Sequence, residues 1–200
     1  GLMSSGQSSN ALVIGAETFT KLLDWKDRST CVLFGDGAGA VVLQAENSKL
    51  GYGIIANKLY SDGRYKDILY VDGGVSKTGT VGHVKMRGRD VFKHAVEKLA
   101  TAMDEVLTLA NLTSNDIDWL VPHQANIRII NAMQKKLNLP DEKVIKTVSE
   151  HANTSAASIP LALNYGVESG KIKPGHLLAL EAIGGGLSWG ASLVRYGRPV

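Results

Sequence analysis

The apolar positions of this 200-residue chain follow two different periods. Short continuous apolar runs dominate the first third. NALVIGAE, closed by Gly15, then STCVLF and AVVLQA each read as a buried strand. GYGIIANKLY and ILYVDG are further strand-like pieces, with SDGRY supplying a turn between them. From Arg89 the period becomes helical. Phe92, Ala95, Val96, Leu99, Met103, Val106 and Leu107 recur at spacings of three and four, which predicts an amphipathic helix ending near Asn111. IDWLV then reads as a strand, NIRIINAMQKKL as a second amphipathic helix, Pro140 as a stop and KVIKTV as another strand. SAASIPLALNYGVES is predicted helical, with Pro160 in its first turn or two, where proline is tolerated. HLLALEAI and LSWGASLVRYG close the chain as two strands around Gly184, Gly185 and Gly186.

Strands alternating with helices indicate a layered α/β domain with a mixed sheet and helices packed on it. The first fifty residues are strand-rich and lack a helix of comparable length, so residues 1–49 read as the remnant of a preceding unit and 50–200 as the main one. The chain starts on Gly1 with the serines Ser4, Ser5, Ser8 and Ser9 ahead of the first apolar run, a pattern expected of a chain that begins in mid-domain.

Composition narrows the class. Forty-four per cent hydrophobic and 20% charged residues are ordinary for a globular protein. No apolar run approaches the ~18 residues of a membrane-spanning helix, and no basic-then-apolar leader is visible, so a cytoplasmic protein without a membrane partner is expected. A single cysteine and the absence of C-x-x-C or a close histidine pair give no metal site. A net charge of +3 is too mild to indicate nucleic acid, although Lys and Arg cluster locally in a way that suits an acidic partner.

Four features carry candidate chemistry. GDGAGA, Gly35–Ala40, formally satisfies a dinucleotide fingerprint, but Val41, Val42 and Leu43 follow it where the fingerprint needs a helix, so it reads as a tight connection between strands. His123 and His151 both fall just past predicted carboxyl ends of strands, where α/β sheets place their ligands. His123 is the stronger candidate, held between Pro122 and a helix that begins at Asn126, and a loop histidine with an ordinary hydrogen bond is the plainer alternative. Asn153 lies in a similar turn and would pair with His123 as a neutral donor set for an oxyanion, or serve only as a helix cap. Gly184, Gly185 and Gly186 permit close backbone approach to a ligand carbonyl, or make a plain hairpin bend.

VPHQANIRII, HANTSAASIP and EAIGGGLSWGASLVRYG, in this order and with FGDGAGAVVL upstream, resemble the β-ketoacyl-acyl-carrier-protein synthase III family of condensing enzymes from about Gly6 to the C-terminus. The resemblance implies a thiolase-like α/β fold: a mixed five-stranded sheet with helices on both faces, of which the chain holds the end of the first half and all of the second. It implies an acyltransferase that joins an acyl-CoA primer to malonyl-acyl carrier protein with loss of CO2, starting fatty acid synthesis. His123 and Asn153 match the family's catalytic histidine and asparagine, His151 becomes a neighbour, and the backbone N–H of Gly185 matches the oxyanion hole. Arg28, Met86, Phe92 and Asn126 are expected to line the CoA and pantetheine channel. Lys93, Gln124, Arg128, Lys135 and Lys136 are expected to meet the carrier protein. The family works as homodimers and its reaction requires no metal or redox cofactor.

The family's nucleophilic cysteine is expected upstream of Gly1, so the chain alone is expected to be inactive. Cys31 is expected to be structural, a small hydrophobe inside the strand STCVLF with no cation or helix N-terminus beside it to lower its pKa. An acyl-CoA-primed synthase of polyketide or other secondary metabolism remains open, as do two readings of another class: a nucleotide-binding module built on GDGAGA, and a non-catalytic structural half.

Overall fold

A computed structural model describes residues 1–46 and 51–197. Among the described residues eight strands form: β1 (Asn10–Glu17), β2 (Gly37–Gln44), β3 (Gly53–Ser61), β4 (Leu69–Val71), β5 (Val84–Met86), β6 (Trp119–Pro122), β7 (Leu177–Gly184) and β8 (Ser188–Arg195). The α-helices are α1 (Val75–Thr78), α2 (Gly88–Leu109), α3 (Ile127–Lys136), α4 (Val148–His151) and α5 (Ser158–Glu168), with short 3-10 turns between them.

The central sheet runs β3-β8-β7-β6, with β6 parallel to β7 and the other pairs antiparallel. Alternation along its strands makes two cores. Leu120 of β6, Leu177 and Ala179 of β7 and Leu193 of β8 pack with Ala95, Leu99, Met103 and Val106 of α2 and Ile130 and Met133 of α3. The intervening Val121 and Leu178 face the other way, onto Ala162 of α5 and onto Ile145 and Ile172. Helices therefore cover both faces, as expected. Lys98 of α2 adds a clamp on the sheet end, its Nζ lying 4.2 Å from the Trp189 ring and 4.5 Å from that of Tyr65.

Two expected strands take other forms. KVIKTV shrinks to one parallel bridge, Val144 to Leu120, so the central sheet has four laddered strands, with that bridge in the fifth position. The segment is interrupted because Asp141–Lys143 forms a 3-10 turn ahead of it and α4 starts at Val148. STCVLF is a run of turns. Asp27 accepts hydrogen bonds from the backbone and hydroxyl of Ser29 (2.9 and 2.6 Å) and from the Thr30 hydroxyl (3.1 Å), and such local bonds outcompete a ladder. Cys31 thus sits half-buried in a turn rather than inside a strand.

GDGAGA is also not a connection. Gly37 opens β2, which pairs antiparallel with β1 throughout in a separate two-stranded sheet. Its glycines serve packing: a Cβ on Gly39 would lie 2.7 Å from Cβ of Pro160, and one on Gly15 opposite would lie 2.1 Å from the Ala156 carbonyl oxygen. The β1–β2 pair can therefore seat directly on the start of α5. No helix opens after the glycines, which removes the basis for a dinucleotide loop.

This seat predicts a position-specific cost. Gly15→Ala must push the Ala156 backbone aside and is expected to lose about 1–3 kcal/mol in urea unfolding. Gly63→Ala, which meets nothing within 4 Å, should stay within about 0.5 kcal/mol of the parent. Equal losses at the two positions would refute the packing role.

Candidate functional site

A cavity of about 1280 Å³ opens where the carboxyl ends of β6 and β7 meet the segment between α4 and α5. Its walls are mainly apolar, including Phe34, Leu69, Val84, Met86, Phe92 and Ile183, and its polar groups include His123 and Asn153. Sequence-distant candidates thus converge on one chamber.

His123 reaches it because β6 ends at Pro122 and the His123 N–H donates to the Glu181 carbonyl of β7 (2.7 Å), continuing the ladder by one bond. Its Nδ1 lies 2.6 Å from Oγ of Ser158, the first residue of α5. Desolvation pushes the imidazole down to about 4, so the ring is neutral at pH 7. Gln124, next in the chain, is 0% exposed. Its Nε2 donates to the carbonyls of Pro122 (2.8 Å) and Ile145 (3.2 Å), and its Oε1 accepts the Thr147 N–H (2.8 Å). Gln124 therefore cannot meet a carrier protein, contrary to expectation, because its hydrogen-bonding capacity is spent on clipping the turn together.

Asn153 is held by its backbone rather than by a helix start. Its N–H donates to the Leu33 carbonyl (2.9 Å) and its carbonyl accepts the Gly35 N–H (3.0 Å), a parallel bridge to the first part of the chain. Its Oδ1 accepts the Ser155 N–H (2.9 Å), which leaves the amide NH2 as the donor available to the cavity. Ala152 and Ser155 on either side adopt φ of 58° and 46°, conformations that cost of order 1–3 kcal/mol each and cluster at functional sites. Gly185 lines the cavity, and no described residue accepts its N–H. A Cβ there would lie 3.1 Å from the Leu69 carbonyl oxygen, a tight contact, and Gly186 turns at a φ of +136°, a conformation that favours glycine.

Met86, Phe92 and Asn126 line the cavity, Asn126 also capping α3 by accepting the Arg128 and Ile129 N–H groups (3.0 Å each). Arg28 does not; it is exposed outside the lining, and its neighbour Ser29 contributes instead. Arg128 lies at the wall, whereas Lys136 borders a second depression with Asp104 and Thr108. Eight residues of helix at 1.5 Å each separate the two by roughly 12 Å. Lys93 and Lys135 are exposed on α2 and α3. His151, at the end of α4, stays outside the lining. Cys31 stays outside it too.

Sequence reading missed four groups. Lys66 and Arg89 add cations to the wall; Arg89 was legible in principle, standing in the first turn of α2 three residues before Phe92. Ser158 carried no signal beyond its place at a helix start. Glu181 looked like an ordinary strand residue, yet it is 2% exposed, neither carboxyl oxygen has a hydrogen-bond partner, and burial pushes its carboxyl up to about 8. Among the described residues no cluster of three or more His, Cys, Asp and Glu could hold a metal ion, and no helix is long and apolar enough to cross a membrane.

Comparison with known proteins gives this geometry a setting. Residues 107–196 match the family described as 3-oxoacyl-[acyl-carrier-protein (ACP)] synthase III C terminal, and residues 1–63 match 3-oxoacyl-[acyl-carrier-protein (ACP)] synthase III. The chain is 60% identical over 196 residues to the beta-ketoacyl-[acyl-carrier-protein] synthase III of Erythrobacter litoralis, an alignment covering 98% of this chain and 61% of that protein. The structure of 3-oxoacyl-[acyl-carrier-protein] synthase III from Aquifex aeolicus superposes with a TM-score of 0.91 at 46% identity, over 98% of this chain and 60% of that one. The corresponding Pseudomonas aeruginosa structure gives 0.92 at 40% identity, over 100% and 62%. The chain thus spans about three fifths of the length of these relatives.

His123 and Glu181, the two groups at the site with large shifts, predict opposite pH slopes. The Glu181 carboxyl is raised from 4.5 to about 8, so between those values the folded chain holds a proton that the unfolded chain has lost, and stability falls as pH rises through that window. His123 is depressed from 6.5 to about 4, so its contribution is present above 6.5 and is lost as pH falls toward 4. The slopes oppose each other where the windows overlap and leave Glu181 alone from about 6.5 to 8. The melting temperature should fall across that upper range, and Glu181→Gln should flatten the fall. An unchanged slope in the variant would refute the assignment.

Proposed function

The chain belongs to the 3-oxoacyl-[acyl-carrier-protein] synthase III family, and on that premise we propose that the protein carrying it condenses an acyl-CoA primer with malonyl-acyl carrier protein. The observation that carries the reading is a pair of neutral donors, the His123 imidazole and the Asn153 amide, on one apolar-walled cavity. Such a pair suits the decarboxylating half of the reaction. The malonyl carboxylate departs as CO2, its C–C bonding electrons pass to the remaining carbon, and the thioester oxygen takes up the enolate charge. Donors that are already neutral stabilise that oxygen without delivering a proton to the carbon that must act as nucleophile. The carbon then attacks the acyl-enzyme carbonyl, whose developing oxyanion the Gly185 N–H receives in this reading, and the enzyme thiolate leaves; the support is that Gly185 lines the same cavity.

In this reading Cys31 is not the acyl acceptor. It lies outside the cavity lining, in a turn with its Sγ 3.9 Å from the Trp25 carbonyl oxygen. Lys66, Arg89 and Arg128 supply positive charge at the wall for the phosphates of CoA and of the carrier-borne pantetheine arm, with Lys93, Lys135 and Lys136 exposed for the acidic carrier protein. The chemistry calls on no metal or redox group.

Residues 1–49 are assigned to the first half of the thiolase-like fold and 50–200 to the second, which agrees with the separate β1–β2 sheet. The division itself, at 49/50, lies outside the described residues. Homodimeric assembly and a cytoplasmic setting belong to the same proposal and rest on the family resemblance.

Decarboxylation of a malonyl thioester tests the donor pair directly. His123→Ala and Asn153→Ala should each slow CO2 release by about 10²–10³, the usual effect of losing one oxyanion donor. Release at the parent rate in both variants would refute the proposal. Labelled acetyl-CoA should leave Cys31 unmodified, and stoichiometric acylation there would overturn its structural role.

A further inference from the structure

We propose that Ser158 is a positioning residue that fixes His123 as the tautomer protonated on Nε2, an inference that rests on the donor role given to His123 above. Ser158 is 1% exposed, so its hydroxyl hydrogen must find an acceptor within the protein or cost about 1–3 kcal/mol unpaired. Its Oγ already accepts the Gln124 N–H (3.3 Å) and lies 2.6 Å from His123 Nδ1. A hydroxyl at this point of a helix often bonds the carbonyl four residues back. No such bond to the Thr154 carbonyl forms: the partners of Ser158 Oγ are the Gln124 N–H and His123 Nδ1, and no described group other than Nδ1 is placed to take the Ser158 hydrogen.

The proton count then has one satisfied solution. Ser158 O–H donates to Nδ1, so the neutral imidazole carries its single hydrogen on Nε2, the nitrogen left for the cavity. In the other tautomer Nδ1–H would donate to Oγ, the serine hydrogen would have no acceptor, and the Nε2 lone pair would face the enolate oxygen it is meant to stabilise. The arrangement reaches further through Gln124. Its backbone N–H aims the hydroxyl, while its buried side chain ties Pro122, Ile145 and Thr147 and so holds the β6 turn against the segment leading to Asn153. The neutral ring is compatible with this because desolvation keeps it unprotonated at working pH.

The test separates tautomer from catalysis. In histidine 15N-labelled protein, the His123 resonances should show a protonated Nε2 and an unprotonated Nδ1. Ser158→Ala should shift the ring toward a mixture of tautomers and lower kcat for malonyl-thioester decarboxylation by roughly 10- to 100-fold, the usual scale for losing a group that orients a functional histidine. KM should change little, and Ser158→Thr, which keeps the hydroxyl, should restore the Nε2–H signal and most of the rate. A protonated Nδ1 in the parent protein overturns the proposal, even if Ser158→Ala fails to fold. So does a folded Ser158→Ala that retains the parent tautomer and rate. If His123→Ala decarboxylates normally while the parent shows Nε2–H, the donor role fails and the tautomer assignment stands.

Discussion

Two backbone hydrogen bonds at Asn153, one to the Leu33 carbonyl and one from the Gly35 N–H, join the first part of the chain to the second at the site itself. The bridge matters because the segment carrying Asn153 includes two non-glycine residues of positive φ, Ala152 and Ser155, a path that its local sequence would not hold unaided. Phe34 and Gly35 brace it from one side. The glycine-lined seat of β1–β2 on the start of α5 braces the residues that follow. Strain at the donor is thus offset by contacts gathered from more than a hundred residues away in sequence.

Burial explains why some motif residues reach the cavity and others do not. His123 and Gln124 are adjacent, but one lines the cavity and the other is sealed behind it, since the two lie just past the end of β6 and Gln124 turns its side chain back onto the Pro122 and Ile145 carbonyls. A motif says which residue types travel together, not which of them touches a ligand. Gln124 belongs to the motif because three backbone groups need it.

The long helix and the final hairpin were legible because each rests on a local signal: a sustained three-four period for α2, and apolar runs around glycines for β7 and β8. The errors share the opposite cause. STCVLF has strand-forming side chains, yet one aspartate supplies nearby amides and hydroxyls with a closer partner than any strand could. KVIKTV has the pattern of a strand but lies between a 3-10 turn and a short helix that leave room for one bridge. GDGAGA reads from sequence as a tight connection between strands, whereas its glycines mark an interface with α5 that only the folded chain brings together. Ser158 and Glu181 were invisible for the same reason, their significance lying entirely in what surrounds them.

The polar groups around the cavity also follow one economy. An enolate oxygen gains most from donors that are fixed beforehand and shielded from water, because the same hydrogen bond is stronger where the dielectric is low. Shielding carries its own cost, since every polar atom taken from water needs a partner. Gln124, Ser158 and Asn153 meet that requirement through backbone and side-chain bonds, and His123 meets it by remaining neutral. Glu181 has no such bonds and remains protonated instead. Burial thus favours the neutral form of both the imidazole and the carboxyl near the site, and the cations Lys66, Arg89 and Arg128 are kept to the wall, where solvent supports them. The cations thus stand where solvent reaches them, and the polar groups farther in are the ones that burial keeps neutral.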